Sequence, residues 1–169
     1  MKTTRTFLFI SMLTLFAVPG FAQNIERMFQ TDVKIYLQQF GAAPNGAADL
    51  GLRPVERMVP NDFKLDYALE ALFSEEITDE EEEAEFHSST YGMKLEGVSL
   101  KAGTVTVRFS QPPGRTEFIG IEPRVFVEAI TKTAKQFKFV RRVTICAVGK
   151  TTIDSELEPR PFPRCPAKR

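Results

Sequence analysis

The sequence is poor in the residue types that build most metal and redox centres. Its 169 residues contain one histidine and two cysteines, so we expect no multi-ligand zinc site, no iron–sulfur cluster and no cofactor. Positive charge is not in excess either, because 22 Lys and Arg residues balance 22 Asp and Glu residues. Nucleic-acid binding needs clustered cations, so we expect no nucleic-acid partner. What remains is ordinary globular composition, with enough chain for one domain and its core.

The first 22 residues have the pattern of a signal peptide. Lys2 and Arg5 precede an apolar run over residues 7–18, which is too short to span a bilayer as a permanent helix. Small residues then favour cleavage between Ala22 and Gln23. No cysteine follows the run to accept a lipid, and no later stretch is apolar enough to re-enter a membrane. We therefore expect export to the periplasm or the extracellular space with no membrane span after cleavage; an uncleaved membrane anchor is the alternative.

The rest of the chain divides into three parts. A short lead-in over residues 23–31 precedes one folded domain over residues 32–150, and a proline-rich tail follows over residues 151–169. Prolines cannot continue a helix or donate a main-chain hydrogen bond, so the tail is expected to be extended and poorly ordered unless something ties it down.

Several stretches of the domain alternate apolar and polar side chains, as half-buried strands do. Residues 33–37 predict one strand, and residues 52–59 predict another at a sheet edge. Residues 93–109 predict a hairpin, in which Gly103 supplies the positive φ of a tight turn. A last strand over residues 140–148 has apolar side chains on both faces, which predicts a central position in the sheet.

Two further stretches have the period of amphipathic helices. One is predicted to begin after a turn and cap at Asn61 and Asp62, and the other after Pro123. Their apolar stripes are Leu65, Ala68, Leu69, Leu72 and Phe73 in the first, and Phe126, Ala129, Ile130, Thr133 and Phe137 in the second. The predicted fold class is α+β, with both helices packed on one face of a small mixed sheet of about five strands.

A run of Asp and Glu residues follows the first predicted helix, over residues 74–85. Like charges repel one another, so this run predicts an exposed loop or a continuation of the helix. A calcium site is the sharper alternative, but the spaced Asp/Asn loop with its central glycine is missing. We predict a solvated face and no metal site.

Four segments of the domain carry a shared sequence pattern. They are LRPVERMVP at residues 52–60, ALEAL at 68–72, the hairpin MKLEGVSL and GTVTV at 93–107, and FKFVRRVTI at 137–145. Spread over residues 32–150, they resemble the GerMN domain of the sporulation and spore-germination family. The resemblance implies an α+β domain similar in fold to ring-building modules of secretion machinery. It also implies a non-catalytic interaction module of the cell envelope, with no catalytic residues to carry over.

A catalytic site would have to use His87, with Cys146 or a serine as its nucleophile. His87 follows the acidic run in a predicted loop, and no Gly-x-Ser-x-Gly elbow is present. Carboxylates are abundant, but none lies in an apolar stretch that would raise its pKa. We therefore predict no catalytic residues and no enzyme.

Cys146 and Cys165 are expected to form a disulfide if the chain reaches an oxidising compartment. The bond would close a loop of about 20 residues, worth roughly 3 kcal/mol in the chain-entropy model. It would also attach the proline-rich tail to the last strand. One buried free thiol and one exposed free thiol are the alternative.

The leading functional hypothesis is an exported module that binds an envelope protein or a second copy of itself through a helix face or a sheet edge. The alternative is a protein that binds peptidoglycan, another glycan or a small ligand. Its stacking surfaces would come from Tyr36, Tyr67, Tyr91 or Phe118.

Overall fold

The structure is a computed structural model that describes residues 29–41, 49–74, 76–111, 123–149, 152–153 and 160–166. The predicted signal peptide, its cleavage site between Ala22 and Gln23, and the lead-in up to residue 28 lie outside these residues. The elements, in chain order, are β1 (Gln30–Gln39), β2 (Leu52–Pro60), α1 (Lys64–Phe73), α2 (Asp79–Glu83), β3 (Phe86–His87), β4 (Lys94–Lys101), β5 (Thr104–Ser110), α3 (Pro123–Lys135), β6 (Arg142–Ala147), β7 (Thr152–Ile153) and β8 (Arg160–Pro161).

The strands form two three-stranded sheets and a short two-stranded ribbon. The first sheet is antiparallel with the order β2-β1-β3, so β2 is an edge strand as expected. The second has the order β4-β5-β6, in which β4 and β5 form the predicted hairpin and β6 lies parallel to β5 after the crossover through α3. Strands β7 and β8 pair with each other. The predicted α+β class is confirmed, with the strands divided between two sheets.

Helices α1 and α3 join the two sheets around one core. They pack against each other and against β1, and α1 also contacts β4 while α3 contacts β6. The predicted stripe of α1 is buried throughout, as are the four stripe residues that lie within α3. The ring of Phe126 meets those of Phe73 and Phe109 edge to face, with centroids 6.0 and 4.9 Å apart. The prediction of two amphipathic helices packed on β-structure is confirmed.

The turn between β4 and β5 contains Ala102 and Gly103, with φ angles of 50° and 77°. Lys101 pairs with Thr104 across the turn, so the connection has two residues. Positive φ at both central residues gives the backbone twist that matches the flanking strands. The predicted role of Gly103 is confirmed, and Ala102 shares its conformation.

Two expectations about the elements are wrong. Helix α1 follows Phe63, which has a φ of 59° and no side-chain cap, so neither Asn61 nor Asp62 caps it. Strand β6 lies at an edge of its sheet because the β4–β5 hairpin leaves β5 in the centre. Its second apolar face has another cause, since Cys146 is buried where the tail covers the end of the strand.

The proline-rich tail is attached to β6 by covalent and main-chain bonds. Cys146 forms a disulfide with Cys165. Ala147 N donates to Pro163 O at 3.0 Å and Cys165 N donates to Ala147 O at 3.0 Å, so the tail lies beside the last residue of the strand. The ring of Phe162 then packs edge to face on the core phenylalanines of β5 and α3, with centroids 5.1 and 5.7 Å apart. The tail thus packs one partly buried side chain against the core.

Candidate interaction surface

The residues that could have formed a cysteine–histidine pair are engaged elsewhere. Because Cys146 is bonded to Cys165, it has no thiolate to act as a nucleophile. His87 is exposed in β3, and its ring contacts that of Phe40 edge to face with 4.8 Å between centroids. Within the ranges described above, no three His, Cys, Asp or Glu residues are grouped closely enough to hold a metal ion. A cysteine–histidine mechanism therefore has no nucleophile in the oxidised protein.

The acidic run folds as the short helix α2, which one arginine fixes to β2. Thr78 and Glu81 form a capping box, in which each side chain accepts a hydrogen bond from the main-chain N–H of the other residue. Arg57 donates from both terminal nitrogens to the two carboxylate oxygens of Glu81, at 2.6 and 2.7 Å. These hydrogen bonds hold the pKa of Glu81 below its usual value. The helix is otherwise exposed to solvent, and the acidic surface is defined as Asp79, Glu80, Glu82, Glu83 and Glu85.

An exposed aromatic ring borders the acidic surface. Phe40, which follows β1, has 53% of its surface exposed. Its N–H donates to Glu85 O at 3.1 Å, and the side-chain amide of Gln39 donates to Ala84 O at 2.9 Å. These bonds place the end of α2 directly beside Phe40. An apolar ring is therefore framed on one side by carboxylates.

The aromatic residues proposed for ligand stacking do not form one platform. Tyr36 and Tyr91 both pack against a small buried cluster beside α3. Lys132 Nζ lies 5.6 Å from the ring centroid of Tyr36, and the hydroxyl of Tyr91 donates to the side-chain oxygen of Gln38 at 3.0 Å. Tyr67 is 38% exposed on α1, and Phe118 lies outside the described residues. Tyr36 and Tyr91 are thus engaged in packing and polar contacts.

Side chains occupy much of the edge of β1 that faces away from β2. Gln136 donates to Lys34 O at 2.7 Å and accepts from Lys34 N at 2.8 Å, as a neighbouring strand would. The hydroxyl of Ser89 donates to Tyr36 O at 2.7 Å. These contacts take the place of a pairing strand between the start of β1 and its short pairing with β3.

The outer edge of β2 is also protected. Lys34 and Tyr36 use their main-chain groups on the side of β1 that faces away from β2. Their antiparallel partners, Glu56 and Pro54, therefore direct their own main-chain groups away from β1, to the outer edge of β2. Pro54, and Pro60 in the same alternation, have no N–H to offer a further strand. Arg57 also donates from its side chain to Glu56 O at 3.0 Å. The first sheet is therefore poorly suited to strand addition.

A cationic and apolar surface lies where the β4–β5 turn meets the segment between α3 and β6. The main-chain nitrogens of Arg141 and Arg142 donate to Gly103 O at 2.7 and 3.1 Å, which fixes that segment against the turn. Phe139 is 46% exposed and stacks on the buried Phe137 at 5.6 Å. The basic surface is defined as Leu100, Lys101, Lys138, Phe139, Arg141 and Arg142, all of which are exposed.

The cations of the basic surface have no ion-pair partner among the described residues. Among the residues that the structure describes, no carboxylate forms an ion pair with Lys101, Lys138, Arg141 or Arg142. Leu100 ends β4 with 49% of its surface exposed, so it adds a second apolar side chain to that of Phe139. An apolar centre with a polar rim is typical of a protein-binding surface, and a rim of one charge sign favours a partner of opposite charge.

Sequence reasoning missed the basic surface as a site. A signal was present, since every charged residue over 132–142 is basic and Phe139 lies among them. Lys132 and Lys135 lie in the last turn of α3, where cations favour the helix dipole, so their charge alone does not indicate a binding site. The contribution of Leu100 and Lys101 depends on the docking of the hairpin turn, which local sequence does not reveal.

The part of the chain that the structure describes contains no helix with the length and apolar character needed to cross a membrane.

Comparison with known proteins gives a match in sequence and a match in fold. A family model described as Germane, sporulation and spore germination, matches residues 35–152. The solved tandem GerMN domains of the sporulation protein GerM from Bacillus subtilis match with a TM-score of 0.53 and 17% identity, over 82% of this chain and 46% of that chain. A candidate lipoprotein from Clostridium perfringens gives a TM-score of 0.41 and 16% identity, over 71% of this chain and 76% of that one. No curated protein matches the sequence.

The family match and the structural match describe the same folded region. The chain spans less than half of the GerM structure, and at 17% identity that likeness concerns the fold. The family model covers most of the chain, including both amphipathic helices and the hairpin. The protein therefore belongs to the Germane family of sporulation and spore germination, whose fold is that of a GerMN domain.

Proposed function

We propose that this protein is an exported, non-catalytic module of the cell envelope that binds another protein through its basic surface. The observation that carries the proposal is the exposed pair Leu100 and Phe139, framed by cations that no carboxylate pairs with among the described residues. Apolar anchors with a charged rim give affinity through burial and orientation through charge. A partner with an acidic rim around an apolar patch would fit this surface.

Two further features support a role outside the cytoplasm. Cys146 and Cys165 form a disulfide, and such bonds persist mainly in exported proteins. The first 22 residues have the pattern of a signal peptide.

The family description and the GerM relative both concern sporulation. We therefore place the protein in an envelope process of that kind.

Site-specific crosslinking in the native envelope tests the basic surface. A photoreactive residue at position 100 should capture a defined partner in the otherwise unchanged protein. The double variant Lys138→Glu/Arg141→Glu should lose that partner. Lys94→Glu is the control, because Lys94 is exposed at the opposite end of β4. Equal capture by all three proteins would contradict the proposal.

Peptidoglycan binding is tested separately by sedimentation with purified cell-wall sacculi. The proposed module should remain in the supernatant at moderate salt. A glycan-binding role for the exposed Tyr67 on α1 would be assigned instead if the unchanged protein sediments with the sacculi and Tyr67→Ala does not. The variant Lys138→Glu/Arg141→Glu should in that case sediment as well as the unchanged protein.

A further inference from the structure

Opposite charges occupy separate surfaces of this chain. Every charged residue over 70–85 is acidic, whereas every charged residue over 132–142 is basic, although the whole chain has a formal net charge of zero. In the structure the first stretch contains the acidic surface on α2, and the second joins the β4–β5 turn to form the basic surface. Separated charge of this kind attracts a complementary surface over about 8 Å at physiological salt.

Within the described residues, the acidic and basic surfaces form no ion pair with each other. Glu81 is the carboxylate of α2 that forms an ion pair, and its partner is Arg57 on β2. Among the described residues, no ion pair joins the acidic surface to the basic surface. Within the part of the chain that the structure describes, each copy of the protein therefore presents one surface of each sign without an ion-pair partner.

Apolar side chains make the two surfaces complementary in a second respect. Phe40, 53% exposed, borders the carboxylates, and Phe139, 46% exposed, lies among the cations. Both rings are held in place, since Phe40 contacts His87 and Phe139 stacks on Phe137. Burying one ring against the other surface would give an apolar centre with oppositely charged rims, which is the arrangement of protein interfaces.

We propose that the partner is a second copy of this chain, whose acidic surface docks on the basic surface of the first. This deepens, and rests on, the proposed role of the basic surface in protein binding. A lipid surface would use the cations but would leave the acidic surface and Phe40 without a role. Because the two docking surfaces differ, the contact is heterologous and each dimer still has one free surface of each kind. Assembly can then continue beyond two copies.

Charge reversal tests this with the processed, oxidised protein. The basic variant is Lys138→Glu/Arg141→Glu and the acidic variant is Glu80→Lys/Glu83→Lys. Analytical ultracentrifugation of the unchanged protein at low ionic strength should show mass that rises with concentration, and about 0.5 M salt should reverse it. Each variant alone should associate at least about tenfold more weakly. An equimolar mixture should form a complex, because each variant retains the surface that the other lacks.

The comparison of Lys138→Glu with Lys94→Glu controls for net charge, and only the former should weaken association. A monomeric unchanged protein at about millimolar concentration, or a mixture that stays monomeric, would overturn the proposal. Binding of the unchanged protein to vesicles of anionic lipid, without self-association, would overturn it in favour of a membrane surface. If crosslinking from position 100 still captures a different protein in a charge-dependent way, the proposed function stands while this inference fails.

Discussion

At the residue scale, Arg57 connects the acidic helix to the first sheet. Its guanidinium binds both oxygens of Glu81 and also donates to Glu76 O at 2.9 Å, so one side chain holds both the start of α2 and the residues before it. The side chains of Arg57 and Glu81 are only 18% and 14% exposed, which limits screening of their charges by solvent. Bidentate geometry and low exposure make this pair stronger than an ordinary surface ion pair.

The Arg57–Glu81 pair should make stability depend on pH. Glu81→Gln should lower the free energy of unfolding by about 1–2 kcal/mol at neutral pH. The pKa of Glu81 is depressed in the folded protein below its ordinary 4.5, so this contribution is present above pH 4.5 and is lost as pH falls through the folded pKa. Urea unfolding of both proteins from pH 7 to pH 3 measures it. Glu82→Gln, an exposed neighbour, should show no such difference; equal effects of the two changes would contradict the role of Arg57.

Gly103 should tolerate substitution poorly, because its positive φ and its close neighbours both disfavour a side chain. Its φ is +77°, and a Cβ there would lie 3.1 Å from the Arg141 side chain and 3.3 Å from Phe139 O. Gly103→Ala should therefore cost about 1–3 kcal/mol. Gly149→Ala is the matched control, since Gly149 has a φ of +88° but no atom within 4 Å of the added Cβ. If thermal unfolding shows equal losses for the two variants, the turn does not pack against the segment between α3 and β6 as described.

At the scale of elements, the tail covers the end of β6, which is an edge strand. The tail lies beside the last residue of this strand, Ala147. The disulfide with Cys165 and the main-chain bonds to Ala147 cover the end of β6, and Phe162 packs against the core residues of α3 and β5. A segment rich in proline, which cannot form a regular element of its own, thereby becomes part of the fold.

Reduction should release the tail together with its contribution to the core. Breaking the bond should lower stability by about 3 kcal/mol, while the variant Cys146→Ala/Cys165→Ala should not respond to reductant. Phe162→Ala should cost about 1–2 kcal/mol in the oxidised protein and much less after reduction, because the ring then no longer stays packed. Chemical unfolding of the unchanged protein and of Phe162→Ala, each in the oxidised and the reduced state, measures these four stabilities. An equal cost of Phe162→Ala in both redox states would show that the tail stays in place without the disulfide.

At the scale of the whole molecule, separation of charge matters more than net charge. A formal charge of zero suggests a protein with no electrostatic preference, but the acidic and basic surfaces are built on different elements. The strand edges of the first sheet are protected by prolines and by side chains that bind main-chain groups. Docking through charged surfaces is therefore better supported than docking through the first sheet's edges.

The export of the whole chain remains a prediction with a direct test. In a bacterial host the protein should be recovered outside the cytoplasm, with a mass that corresponds to cleavage between Ala22 and Gln23. Mass spectrometry of the intact protein measures the cleavage, and thiol titration after denaturation without reductant should find no free cysteine. Recovery of the uncleaved chain in the membrane fraction would support an uncleaved anchor instead.

The sequence by itself determined the local features of the fold. The helical spacing of apolar side chains specified α1 and α3, because the row of apolar side chains that a helix buries is set by the sequence of that helix alone. Alternation and a turn glycine specified the β4–β5 hairpin. The partner of β6 and the division into two sheets could not be derived in this way, because they depend on which strands meet after α3 crosses over. The start of α1 was also misjudged, since Phe63 takes a conformation that local preference would give to glycine or asparagine.

Only the tertiary structure decided which surface is available for binding. The sequence names the cations over 132–142, but Leu100 and Lys101 join them because Gly103 O accepts two hydrogen bonds from that segment. Tyr36 and Tyr91 likewise form packing and polar contacts within the fold, so they are poorly placed to stack on a ligand. Side-chain chemistry is local and can be read along the chain. Exposure and proximity are properties of the packed whole, and the function of a binding surface depends on them.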